Sequence, residues 1–109
     1  MATFYLKEGD TAPKLQASLK NPDGTAVDLT NANVDIRIAK ARGGGNIESG
    51  NAFTTDANNG VIEYDLAQVN TDNDGRYRVE FEVTYIDGSV ETFPNKGYHT
   101  LMVGRNMEV

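Results

Sequence analysis

Arg76-Tyr77-Arg78-Val79-Glu80-Phe81-Glu82-Val83-Thr84-Tyr85 decides the fold class. Tyr77, Val79, Phe81, Val83 and Tyr85 alternate with Arg78, Glu80, Glu82 and Thr84. A period of two sends the apolar set to one face and the polar set to the other, which predicts a half-buried β-strand. Outward from this strand the pattern repeats. Val34, Ile36 and Ile38 alternate with Asp35, Arg37 and Ala39, and Leu15, Ala17 and Leu19 with Gln16, Ser18 and Lys20. Ile62 and Tyr64 mark a further strand, Leu101 and Val103 face inward on the last one, and Thr3–Lys7 reads as a first edge strand.

Turn residues punctuate these runs at Glu8-Gly9-Asp10, Asn21-Pro22-Asp23-Gly24, Asn58-Asn59-Gly60, Asp72-Asn73-Asp74-Gly75 and Asp87-Gly88. Asn, Asp and Gly suit such places because they tolerate positive φ or bond their own backbone. Asp87-Gly88 predicts a type I′ hairpin. Pro94-Asn95-Lys96-Gly97 predicts a second reversal, so that Arg76–Ile86, Ser89–Phe93 and Tyr98–Val103 would be consecutive antiparallel strands. No window carries a helical period over three turns, although Asp65-Leu66-Ala67-Gln68-Val69 fits one short turn. Lys40 to Asn51 contains Gly43-Gly44-Gly45, which packs no side chain and loses much entropy on ordering, and it reads as a projecting mobile loop. Short alternating strands between turns are the pattern of an all-β sandwich. With 109 residues and no linker or repeat, a single domain spanning 1–109 is expected.

Composition narrows the function. Ten basic against sixteen acidic residues give a net charge of −6. A nucleic-acid binder needs a basic face to displace counterions, and an anionic membrane surface needs the same, so neither partner is expected. Absence of Cys excludes disulfides, thiolate catalysis and zinc–thiolate sites. The single His excludes a His cluster. The opening residues lack a basic region followed by an apolar run, so no leader is expected, and the start Met and short length fit a complete small gene product.

No catalytic constellation emerges. Gly43-Gly44-Gly45 lacks the strand, helix and Lys-Ser/Thr context of a phosphate cradle. Asp72-Asn73-Asp74 lacks the later Gly and Glu of a calcium loop and reads as a turn before a strand. His99 has no partner pattern, and no Gly-x-Ser-x-Gly elbow occurs. Glu80 and Glu82 share a face with Arg78 and read as a solvated or partner-facing stripe. Tyr64, Tyr77 and Tyr85 fit core phases, while Tyr5 and Tyr98 are candidates for exposed aromatics. Tyr77, two residues after Gly75, fits a tyrosine corner. No enzyme activity, cofactor or metal is expected.

The motifs then acquire a family likeness. Phe4-Tyr5-Leu6-Lys7-Glu8-Gly9-Asp10-Thr11-Ala12-Pro13 is followed by Leu15 and Leu19, then by Asn21-Pro22-Asp23-Gly24 and Val27-Asp28-Leu29-Thr30 before the Val34–Ile38 strand. Asn59-Gly60-Val61-Ile62, Gly75–Val83, Asp87-Gly88 and Thr92-Phe93-Pro94 complete the order. This resembles the immunoglobulin-like N-terminal domain of tailed-phage baseplate upper proteins and related tail β-sandwich proteins, over essentially the whole chain. Where the common pattern has Gly, this chain has Asn31, which also tolerates a left-handed conformation.

The resemblance implies an immunoglobulin-like antiparallel β-sandwich of about seven strands. It implies a virion structural protein, located in the tail or baseplate and made in the host cytoplasm, that docks to other virion proteins as a homo-oligomer or multi-copy assembly. The family's chains continue past this domain, so a chain ending at Val109 reads as the docking module alone. The candidate docking residues are Thr3, Phe4, Tyr5, Leu6 and Lys7, by strand addition, and Arg42, Gly43, Gly44, Gly45, Asn46 and Ile47 on the glycine-rich loop. Replacing Phe4 and Leu6 by charged residues is expected to abolish incorporation without unfolding. The alternatives are capsid decoration and a carbohydrate-binding or adhesion module.

Overall fold

The computed structural model describes residues 3–7, 14–40, 46–65, 74–95 and 97–104, with the backbone alone at 46–48. The strands are β1 (Thr3–Lys7), β2 (Lys14–Ser18), β3 (Asn33–Lys40), β4 (Asn46–Asn51), β5 (Phe53–Asp56), β6 (Val61–Asp65), β7 (Gly75–Thr84), β8 (Val90–Phe93) and β9 (His99–Gly104). That makes nine strands among the described residues, where about seven were expected. There is no helix among the described residues. The predicted turn at 66–69 and the Asp72-Asn73 pair lie outside them.

Two sheets form an immunoglobulin-like sandwich. One orders β1-β9-β7-β3-β4, with β8 also paired to β7, and the other orders β2-β6-β5. All pairings are antiparallel except β1 with β9, which is parallel. The long β7 strand organises the large sheet. Tyr77, Val79, Phe81 and Val83 are all buried, as the alternation predicts. They meet Val34, Ile36 and Ile38 from β3, Leu15 and Ile62 from the small sheet, and Leu101 and Val103 from β9. Leu19, Val27 and Leu29 close the core from the β2–β3 connection. Burying such a side chain stabilises by roughly 1.5–3 kcal/mol, so this shared layer holds the sheets together.

Three expectations are corrected. Residues 46–51 are a strand and not a projecting loop; pairing with β3 overrides their poor strand composition. Gly50 has a packing reason, since a β-carbon there would lie 3.2 Å from the Tyr64 hydroxyl. The β7–β8 hairpin is not a two-residue I′ turn. Gly88 alone has positive φ, its N–H donates to the Tyr85 carbonyl at 2.8 Å, and the Tyr85 N–H donates to the Ser89 carbonyl at 2.8 Å. This is a three-residue loop ending in a left-handed glycine. Finally, the expected reversal between β8 and β9 does not occur. β8 and β9 run the same way along one edge of β7, joined after a cis Phe93–Pro94 bond.

The turns share a device. In Asp23-Gly24-Thr25, Asp28-Leu29-Thr30 and Asp87-Gly88-Ser89, the Asp carboxylate accepts from the hydroxyl and the backbone N–H two residues on. Each carboxyl is held below its ordinary pKa, first by the hydroxyl and then by the N–H. Asn31 sits at φ 60°, the left-handed conformation anticipated for it.

Candidate docking surfaces

β1 lies at one edge of the large sheet, in unbroken register with β9 from Thr3 opposite Thr100 to Lys7 opposite Gly104. Phe4 and Leu6 face inward beside the buried Leu101 and Val103, and both are half-buried against the core. The Phe4 ring meets His99 edge-on at 6.0 Å, and His99 also packs 5.7 Å from Phe81. Burial holds the His99 pKa below its ordinary value, so the imidazole is neutral at pH 7 and works as a partly apolar plug. Tyr5 points the other way and is 77% exposed, with Thr3 and Lys7 also exposed.

The second expected surface divides. Asn46 and Ile47 begin β4, and Arg42, Gly43, Gly44 and Gly45 lie outside the described residues. β4 is the opposite edge of the same sheet from β1. Four strand spacings, about 19 Å, separate the two edges, so they do not form one continuous surface.

Five free edges exist among the described strands: β1, β4 and the far side of β8 in the large sheet, β2 and β5 in the small one. The β3–β4 ladder shifts register at Ile38/Ala39, and the β5–β6 ladder shifts at Thr54/Asp56. Such bulges twist an edge away from further pairing. β1 and β2 are regular throughout.

The outer face of the large sheet is charged and internally paired. Arg37 contacts Glu82 at 2.8 Å across β3 and β7. Arg78 lies 5.8 Å from the centroid of the Tyr98 ring, and its Nε donates to the Lys40 carbonyl at 3.2 Å. Arg37, Ala39, Arg78, Glu80 and Tyr98 line a shallow cavity of about 200 Å³. The Glu80–Glu82 stripe is half-buried, with Glu82 paired to Arg37 and Glu80 opposite Arg37 in the β3–β7 ladder. Among the described residues no three His, Asp or Glu side chains converge as a metal site. Among the described residues no helix is long and apolar enough to cross a membrane.

Of the aromatics expected outside, Tyr5 and Tyr98 are exposed. Phe53, Ile86 and Val90 are exposed apolar residues that were not singled out. Ile86 was readable, because it falls on the outward phase one residue past Tyr85. Tyr85 itself is half-buried and donates to Glu91 at 2.8 Å; burial first, then that carboxylate, push its hydroxyl up to about 12. Tyr77 is buried, and its hydroxyl is raised above the ordinary value by burial and by Asp74.

The chain is similar in fold to the crystal structure of CopC from Methylosinus trichosporium OB3b, with a TM-score of 0.59 and 16% identity, covering 100% of this chain and 90% of that one. At that identity the likeness concerns the fold alone. None of the curated proteins matches the chain. The family model of the BppU N-terminal domain matches residues 2–94, spanning the β1 edge, both sheets and the β7–β8 hairpin. The chain belongs to this family, the N-terminal domain of a phage baseplate upper protein, a structural component of the tailed-phage baseplate.

Proposed function

We propose that the chain is a docking or adaptor subunit of the phage tail or baseplate. It acts as one sandwich module, present in several copies, and binds other virion proteins by protein–protein contact. The observation that carries this reading is the regular, bulge-free β1 edge of a chain in the baseplate family. An edge strand offers a row of backbone donors and acceptors, and strand addition uses them directly. Many weak contacts around a repeated structure give strong attachment through effective concentration. The acidic balance of the chain disfavours nucleic acid and anionic membrane as partners.

Immunogold labelling of particles tests the location. Gold at the tail or its tip supports the reading. Gold over the head transfers it to capsid decoration, and protein found only free or on cells removes the virion role. Tyr5→Asp tests the edge, because Tyr5 is exposed and the fold does not depend on it. The variant is expected to fold normally and to be lost from particles. Phe4 and Leu6 are unsuitable for this purpose, since their charged variants damage the core they help to close.

A further inference from the structure

We propose that the occupant of the β1 edge is a second copy of this chain: two β1 strands pair antiparallel about a two-fold axis through Tyr5, joining two large sheets into one. The inference rests on the docking reading for its choice of edge and adds the identity of the partner.

The β2 edge is as regular as β1, but its inward row has less apolar surface left to cover, with Leu15 2% exposed and only the small Ala17 partly buried. On β1 the inward residues Phe4 and Leu6 are half-buried, and no described strand pairs with their outer side. β8 is regular too, but it is four residues long and its inward Phe93 is 2% exposed, so among the regular edges β1 has the most inward apolar surface still to bury.

The sequence of β1 is self-complementary. Rotation about Tyr5 sets Phe4 opposite the second copy's Leu6, Tyr5 opposite its own mate and Thr3 opposite the second copy's Lys7. Each half-buried apolar residue then meets another on the same inward face. The two tyrosines form an aromatic cross-strand pair on the outer face, a favourable arrangement in sheets. Two-fold pairing needs no particular set of outward amides. If Tyr5 points its N–H and C=O outward, the tyrosines form a hydrogen-bonded pair. Otherwise Phe4 and Leu6 supply the bonds around a non-bonded Tyr5 pair.

Charge agrees with this choice. The chain carries −6, so most of its surface repels a second copy. β1 contains no acid, and its one charged residue, Lys7, would face Thr3 and not the other Lys7. Two acidic molecules approach with least repulsion along such a strip.

The absence of Cys makes introduced cysteines clean reporters. In Tyr5→Cys the two Cα atoms would lie about 4.5–5.5 Å apart, inside the range that a disulfide bridges. Mild oxidation of the full chain is expected to give a covalent dimer. Thr3→Cys and Lys7→Cys should each give no covalent dimer when oxidised alone, because like residues are offset by about 13 Å. Mixed together, they should cross-link. Tyr5→Asp should weaken the unmodified dimer by at least roughly tenfold in sedimentation, since like charges directly opposite destabilise a pair. Cross-linking of Thr3→Cys with itself would mean another register and overturn the proposal. A strictly monomeric chain without cross-links would also overturn it. In that case, loss of Tyr5→Asp from particles would leave the docking reading standing with a different partner, and normal incorporation would remove both.

Discussion

At Gly60 a β-carbon would lie 2.6 Å from the Leu19 carbonyl oxygen and 2.8 Å from that of Val27. Both are backbone atoms, and the Gly60 carbonyl accepts from the Leu19 N–H at 2.8 Å, so neither side can move away. Its φ of +67° adds conformational strain. Gly88 shares the positive φ but has nothing within 4 Å of where a β-carbon would sit. The two glycines therefore separate strain from collision. Gly88→Ala is expected to cost about 1–2 kcal/mol, the left-handed penalty alone, and Gly60→Ala clearly more, in urea unfolding. Equal losses would mean that the contact at Gly60 relaxes. The turn carboxylates give a second residue-scale expectation. Asp23, Asp28 and Asp87 have folded pKa values below the unfolded value, so their contribution is fully present above about pH 4 and is lost as pH falls through the folded values. The urea midpoint of the parent should drop between pH 6 and pH 3. The drop should shrink in a variant carrying Asp23→Asn, Asp28→Asn and Asp87→Asn, because each Asn oxygen keeps an acceptor but no longer titrates. An unchanged drop would place the acid sensitivity elsewhere.

At the scale of elements, β7, β3, β1 and the inward face of β9 were readable because one face of each is apolar and the period of two survives. β4 was not readable. Gly50 stands on its inward phase and carries no apolar signal, and its neighbours Asn46, Ser49 and Asn51 favour turns. What makes it a strand is the β3 edge it pairs with, a fact about tertiary structure. The β8–β9 junction was misread for a related reason. Pro and Gly mark a break in a ladder, and a break along one edge has the same residues as a reversal. The candidate site divides along the same line. β1 was placed on an edge correctly, but its inward pair packs on the core, as alternation with Tyr5 already implied. Leu6→Ala should therefore destabilise the fold by about 1–2 kcal/mol, below the roughly 2–5 kcal/mol of a fully buried leucine, because Leu6 is half-buried. A variant as stable as the parent in urea unfolding would mean that β1 is not held on the sheet in solution.

At the scale of the whole molecule, backbone bonds gather acidic turns at one end. The Leu29 N–H donates to the Ala57 carbonyl, and Val27 and Gly60 both bond Leu19, so the turns around Asp23, Asp28 and Asp56 are neighbours. Asn33 pairs with Thr84, which brings the Asp87 hairpin alongside. Lys20 is the basic residue that the described part of this end contributes. No sequence pattern announces this gathering, because the four carboxylates are spread from Asp23 to Asp87 and only the sandwich assembles them. All four residues are exposed, so their mutual repulsion is open to screening by ions at a Debye length of about 8 Å in physiological salt. The native state concentrates these charges and the unfolded chain disperses them, so screening favours the native state. The melting temperature should therefore rise from low salt to physiological salt, and Asp23→Lys, which gives up its turn bonds, should lose most of that salt response while losing some stability at pH 7. A melting temperature that falls with salt would mean that attraction between opposite charges, such as Arg37 with Glu82, outweighs the repulsion at the acidic end.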